Sequence, residues 1–169
     1  YGIPTTIVRL FSVYGPWGRP DMSLWLFAQA IKEGRPIDLF NQGNHRRDFT
    51  YIDDVVDAIT MLLEHPATPS ADFDSHKPVP DQSDAPYRIY NIGNDSTVEL
   101  VRYVELIEQA LGKTAKRNLL PKQPGDVEAS LADIKPIYRD IGWAPSTPIE
   151  EGVPKFIEWF TQWTARTID

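Results

Sequence analysis

Two adjacent arginines, Arg46 and Arg47, and a third, Arg19, in a loop rich in Gly and Pro are the side chains here best suited to meet an anion. A guanidinium is a rigid fork of N–H donors that matches the spacing of phosphate and carboxylate oxygens. The chain as a whole has 17 basic and 24 acidic residues, a net charge of −7. That balance opposes non-specific binding to nucleic acid or anionic membranes, so an anionic ligand has to be met by a local arginine cluster. Asp53 and Asp54 resemble a carboxylate pair for acid–base work, but they open a helical pattern, where acidic residues suit the helix dipole. His45, His65 and His76 show no metal-ligand spacing. With no Cys in the sequence, disulfides, thiolate metal sites and a Cys nucleophile are excluded.

The elements that must position these residues alternate between two periods. Residues 5–11, rich in β-branched and apolar types, predict a buried strand. The run Val13-Tyr-Gly-Pro-Trp-Gly-Arg-Pro forces a loop. Asp21 or Ser23 then caps a helix with Leu24, Phe27, Ala28 and Ile31 on one face, closed by Gly34. Ile37–Phe40 reads as a short strand, and 49–52 as another. Val55, Ala58, Ile59, Leu62 and Leu63 give a helical stripe stopped by Pro66. Residues 66–86 hold five Pro among Ser, Asp and Lys and read as a long surface loop. Tyr87–Ile92 is a second strong strand. Ser96-x-x-Glu99 and Thr147-x-x-Glu150 read as capping boxes for helices carrying Leu100, Val104, Ile107 and Leu111, and Ile149, Val153, Phe156, Phe160 and Trp163. Between them, Asp133 opens a short helix ending at Gly142, and Pro154 predicts a kink in the last one.

This order of elements is α/β. At 169 residues, 41% hydrophobic and 11% aromatic, the chain suffices for one compact domain with a core. No apolar run approaches the ~18 residues that span a bilayer, and the absence of Cys is compatible with a cytoplasmic setting. The sequence opens without Met, in Tyr-Gly-Ile-Pro, and with no basic-then-apolar leader, so it reads as an excised piece of a longer chain.

Four signatures occur in order along nearly the whole chain. They are the strand carrying Arg9 followed by Val13-Tyr-Gly-Pro, then Arg47-Asp-Phe-Thr-Tyr-Ile-Asp-Asp, Tyr90-Asn-Ile-Gly and Pro124-Gly-Asp-Val. Together they resemble the extended short-chain dehydrogenase/reductase family, and Tyr14-Gly-Pro-Trp-Gly-Arg-Pro-Asp-Met resembles its UDP-glucuronate 4-epimerases. No Gly-x-x-Gly-x-x-Gly occurs and no Tyr has Lys four residues on. The resemblance therefore implies the C-terminal, substrate-binding half of an NAD-dependent nucleotide-sugar epimerase. Its NAD-binding Rossmann portion would be absent, and its strands would complete that portion's sheet. Residues 1–169 would then be a nucleotide-sugar-binding portion, inactive and not retaining NAD as an isolated fragment. The parent would be a homodimer interconverting UDP-glucuronate and UDP-galacturonate, while open strand edges would favour self-association of the piece. A fragment of another nucleotide-sugar epimerase, dehydratase or decarboxylase, and a non-catalytic nucleotide-sugar-binding module, are the alternatives.

The same resemblance assigns roles. Arg47 stands where relatives contact the diphosphate, against the alternative of an ion pair with Asp48 or Asp53. Arg19 reaches the nucleotide sugar or staples its loop to Asp21. Ser12 faces the sugar or its phosphate, or bonds its own backbone. Phe40 stacks on or near uracil, or packs in the core. Asp126 accepts from the ribose hydroxyls, or caps the turn after it. Gln123 counts as substrate-binding although some relatives have Arg nearby. Leu10 and Phe11 fall on the cofactor side.

Overall fold

The computed structural model describes residues 2–166. Strand β1 (Thr5–Leu10) and strand β6 (Tyr87–Ile92) pair in parallel along their whole length, from Thr5 opposite Tyr87 to Leu10 opposite Ile92. These are the two strands expected to wait for an absent sheet. They pair with one another along one edge each, and the α/β arrangement runs through the described chain. Equal length and matching apolar, β-branched character make the two runs natural partners.

The remaining pairs are shorter. Strand β2 (Ser12–Tyr14) lies parallel to β5 (Phe49–Tyr51), and β3 (Pro36–Leu39) lies parallel to β8 (Lys116–Leu119). Strand β4 (Arg46–Arg47) runs antiparallel to β7 (Val98–Glu99). Phe40 does not end β3. It starts a 3-10 turn over Phe40–Gly43, in which Asn41 and Gln42 take left-handed φ of 51° and 57°.

Five helices cover these strands: α1 (Ser23–Glu33), α2 (Ile52–Glu64), α3 (Leu100–Leu111), α4 (Lys135–Ile141) and α5 (Ile149–Arg166). One apolar cluster joins α1, α3 and α5 through Leu24, Ile31, Tyr103, Ile107, Phe156 and Phe160. A second joins α2 and α4 to β6 through Val55, Leu62, Ile92, Ile134, Ile137 and Trp143. Gly34, Gly112 and Gly142 each close a helix at φ of 72°, 64° and 72°, the left-handed cap that residues with a Cβ disfavour.

The stripe on α2 is narrower than expected, because Ile59 and Leu63 are exposed. Neither capping box forms. Glu99 sits at the N-cap of α3 and pairs in β7, while the Thr147 hydroxyl donates to Asp54. Helix α5 continues through Pro154. Within the 66–86 segment, the Ser70 amide donates to Ser83 O at 2.8 Å and its hydroxyl to Gln82 Oε1 at 2.9 Å.

One buried carboxylate ties the layers together. Asp48 is fully buried and accepts from the amides of Asn94 (2.6 Å) and Ala132 (2.9 Å) and from the Thr50 hydroxyl (3.3 Å). A Cβ on Gly93 would run into Ala132 and crowd the Asp48 carboxylate. Replacing Asp48 by Ala strands two buried N–H groups, at roughly 1–3 kcal/mol each. We expect Asp48→Ala to lower unfolding free energy by about 3–5 kcal/mol, read from urea unfolding. A loss below about 1 kcal/mol would show that the network is dispensable.

Candidate functional site

The parallel strands β1 and β2 deliver their C-terminal ends to one cavity of about 700 Å³, within the range of small-molecule sites. Ser12, Arg19, Phe40, Arg47 and Asp126 all line it, as do Leu10 and Phe11. Gln123 does not. Its carbonyl accepts the Asp126 amide at 3.2 Å, and Gly125 between them has a φ of 81°. Gln123 thus builds the turn that presents Asp126, while its side chain stays outside the cavity wall.

Arg47 pairs with neither Asp48 nor Asp53. Its Nη2 donates to Asp126 Oδ1 at 2.9 Å and its Nη1 to Arg46 O at 3.1 Å. Extended backbone alternates sides, so Arg47 faces the cavity while Asp48 turns into the core. Arg46 is exposed. The Arg19 guanidinium is exposed and held by Asp21 Oδ2 at 3.2 Å and Met22 Sδ at 3.5 Å, so the loop staple forms at the cavity rim. Phe40 is half-buried and outside both apolar clusters.

His45 was not among the expected site residues. Its ring is 5% exposed and lines the cavity, with Nε2 2.9 Å from Asp126 Oδ2. The two atoms are close but not aligned as a hydrogen bond, and Nε2 has no other partner among the described residues. The signal was its spacing two residues before Arg47, which puts both on one side of an extended strand. The apolar walls also include Trp25, Phe27, Phe49 and Tyr103. Phe49 and Tyr103 stack at 4.1 Å and 10°. Exposed Trp17, at φ 65°, leans on Trp163 at 4.9 Å and Trp159 at 5.5 Å. Among the described residues no group of three or more His, Cys, Asp or Glu could hold a metal ion, and no helix is long and apolar enough to cross a membrane.

The model of the NAD dependent epimerase/dehydratase family matches residues 1–93. The chain belongs to that family. The chain is 48% identical over 163 residues to Protein CapI of Staphylococcus aureus, covering 96% of the chain and 49% of CapI. It is 45% identical over 163 residues to a protein of Rhizobium meliloti named "Probable UDP-glucuronate 4-epimerase", covering 96% and 48%. Among solved structures it resembles UDP-glucuronic acid 4-epimerase from Bacillus cereus in complex with UDP-glucuronic acid and NAD. There the TM-score is 0.77 at 28% identity, over 95% of this chain and 46% of that one. The chain spans about half the length of the curated relatives it matches.

These alignments correct several expectations. The match takes in 95–96% of the chain and includes an epimerase holding NAD. The reading of the chain as an inactive remnant unable to retain NAD does not follow from these matches, which run along nearly all of it and include an epimerase in complex with NAD. A missing Tyr-x-x-x-Lys spacing speaks for one local pattern only, and inactivity does not follow from it.

The site's tyrosines give a pH signature. Burial pushes the Tyr14 phenol well above the usual range, with the charges of Asp54, Tyr51 and Glu150 adding to it. Tyr103 is raised by burial and by Tyr14, against a lowering by the Ser23 hydroxyl. In the second cluster, burial and then its bond to Asp140 (2.8 Å) push Tyr90 up to about 12. Raised folded-state values mean that this stability is fully present below the unfolded value near pH ~10 and lost as pH climbs through the folded ones. We expect unfolding free energy, read from urea unfolding, to fall as pH rises above about 10. The Tyr14 oxygen is buried without a hydrogen-bond partner among the described residues. Tyr14→Phe should therefore reduce the fall and change stability at neutral pH by less than about 1 kcal/mol.

Proposed function

We propose that this chain forms the nucleotide-sugar site of an NAD-dependent epimerase interconverting UDP-glucuronate and UDP-galacturonate. The observation that carries the proposal is the convergence of Arg47, Asp126, Arg19, Ser12 and Phe40 on one cavity at the ends of parallel strands. Ligands of α/β folds bind outside the carboxyl ends of such strands. The name of the Rhizobium relative and the ligands of the Bacillus structure support the choice of sugar and cofactor.

In this reading Arg47 takes the diphosphate with a planar donor fork, and Arg19 at the rim meets phosphate or the uronate carboxylate. Asp126 accepts from the ribose hydroxyls. Phe40 offers its face to uracil, and the Ser12 hydroxyl bonds sugar or phosphate. Binding energy spent on the nucleotide fixes one end of the substrate and leaves the sugar free to present either face. NAD, when bound, supplies hydride removal from C4 and its return. Leu10, 47% exposed at the end of β1, and half-buried Phe11 form an apolar lip that would hold it. We propose one nucleotide-sugar-binding unit with residues 66–86 as its surface loop, acting as a cytoplasmic homodimer.

Incubating the protein with NAD and UDP-glucuronate should form UDP-galacturonate. Carbon dioxide release instead would make it a decarboxylase, and no conversion would refute the epimerase assignment. In calorimetry, Arg47→Ala should weaken UDP binding by about 10- to 100-fold, the loss of charge-assisted hydrogen bonds. Unchanged affinity would remove Arg47 from the diphosphate.

A further inference from the structure

We propose that His45 is the positioning residue for Asp126, holding one carboxylate oxygen while the other exchanges Arg47 for the ribose of a bound uridine nucleotide. The inference rests on the nucleotide-sugar reading above.

Arg47 and Asp126 neutralise one another through the 2.9 Å Nη2–Oδ1 bond. An entering diphosphate offers Arg47 an acceptor of higher charge that fits its fork. Once Arg47 turns to it, Oδ1 is released to the ribose hydroxyls. The same step would leave a half-buried carboxylate without a charged partner, a costly state away from water. His45 meets that cost. Its Nε2 already stands 2.9 Å from Oδ2, on the oxygen that Arg47 does not use. The ring is buried and Nε2 has no competing partner. A modest rotation of Asp126 would turn the close approach into a directed bond.

The backbone keeps the imidazole in place. The His45 amide donates to Gly43 O at 2.9 Å, and its carbonyl accepts the Leu100 amide at 2.8 Å, where α3 begins. The turn through Asn41 and Gln42, with its left-handed φ values, delivers the chain to this point. His45 is thus fixed by α3 and the 3-10 turn, whereas Asp126 sits on the Gln123–Asp126 turn. A rigid donor and a carboxylate on a separate loop make a partner exchange in which Arg47 and the carboxylate move while the imidazole stays.

The test compares UDP with 2′-deoxy-UDP by calorimetry. Wild type should prefer UDP by about tenfold, the value of a hydrogen bond to a charged acceptor. His45→Leu, which keeps bulk without a donor, should reduce that preference to within about twofold, whereas His45→Gln, which restores an N–H at similar reach, should recover it. Asp126→Asn should also lose the preference, and adding His45→Leu to it should have no further effect. If His45→Leu weakens both ligands by one factor and keeps the preference, or if His45→Gln fails to recover it, His45 is only structural and the proposal is overturned. Should His45→Leu not fold, an Asp126→Asn protein that still prefers UDP overturns it as well. Wild type that binds both nucleotides equally refutes the ribose exchange and leaves the UDP site standing. Wild type that binds neither refutes the nucleotide reading and this inference with it.

Discussion

The buried carboxylate of Asp48 is the constraint on which the arrangement turns. A charge in the core is tolerated only when donors surround it, and here they come from three directions: Thr50 two residues on in β5, Asn94 after β6 and Ala132 before α4. Three chain segments meet at one point because they have to. Its backbone carbonyl also receives the Ser12 amide, which joins β2 to the same hub. Since neighbouring residues of a strand face opposite ways, anchoring Asp48 inward fixes Arg47 outward. The core carboxylate and the cavity guanidinium are two sides of one constraint.

A second carboxylate repeats the device. Asp54 is buried at the start of α2 and accepts from the amides and hydroxyls of Ser146 and Thr147, at 3.0–3.3 Å. It thereby sets where α5 begins, and α5 supplies Phe156 to the cavity floor and Gly152 beside the Tyr14 ring. Of the two acids that resemble a catalytic pair, one is exposed and the other is a structural clasp. Burial and four donors, three on Oδ1 and one on Oδ2, commit it to holding the Ser146–Thr147 turn.

Much of the fold could be read from the chain because its signals are local. Apolar spacing located α1, α2, α3 and α5, Asp133 and Gly142 bracketed α4, and Gly34 and Gly112 marked the ends of α1 and α3. β8 was missed because Lys116–Leu119 has no alternation and every residue in it is exposed, so only its pairing with β3 makes it a strand. The capping boxes failed because Glu99 is drawn into β7 and Thr147 has another partner once the chain is folded. Thr147 reaches Asp54, across a sequence distance no local rule inspects. At the site, resemblance brought together residues that the structure places around one cavity, but not the contact between His45 and Asp126. That pair depends on a turn near residue 125 folding back onto one near residue 43, and nothing in either segment announces the other.

Three of the four strand pairs are parallel, and each joins segments far apart along the chain. Parallel neighbours cannot be linked by a tight hairpin, so loop-closure entropy must be met before these contacts give anything back. The cavity is walled by residues from Leu10 to Phe156, and it exists only once those distant closures are complete. Folding of this chain should accordingly be slow for its size, with ligand recognition arriving last. A small molecule that fits the cavity acts on the finished state alone, and its presence raises the chain's resistance to unfolding by mass action.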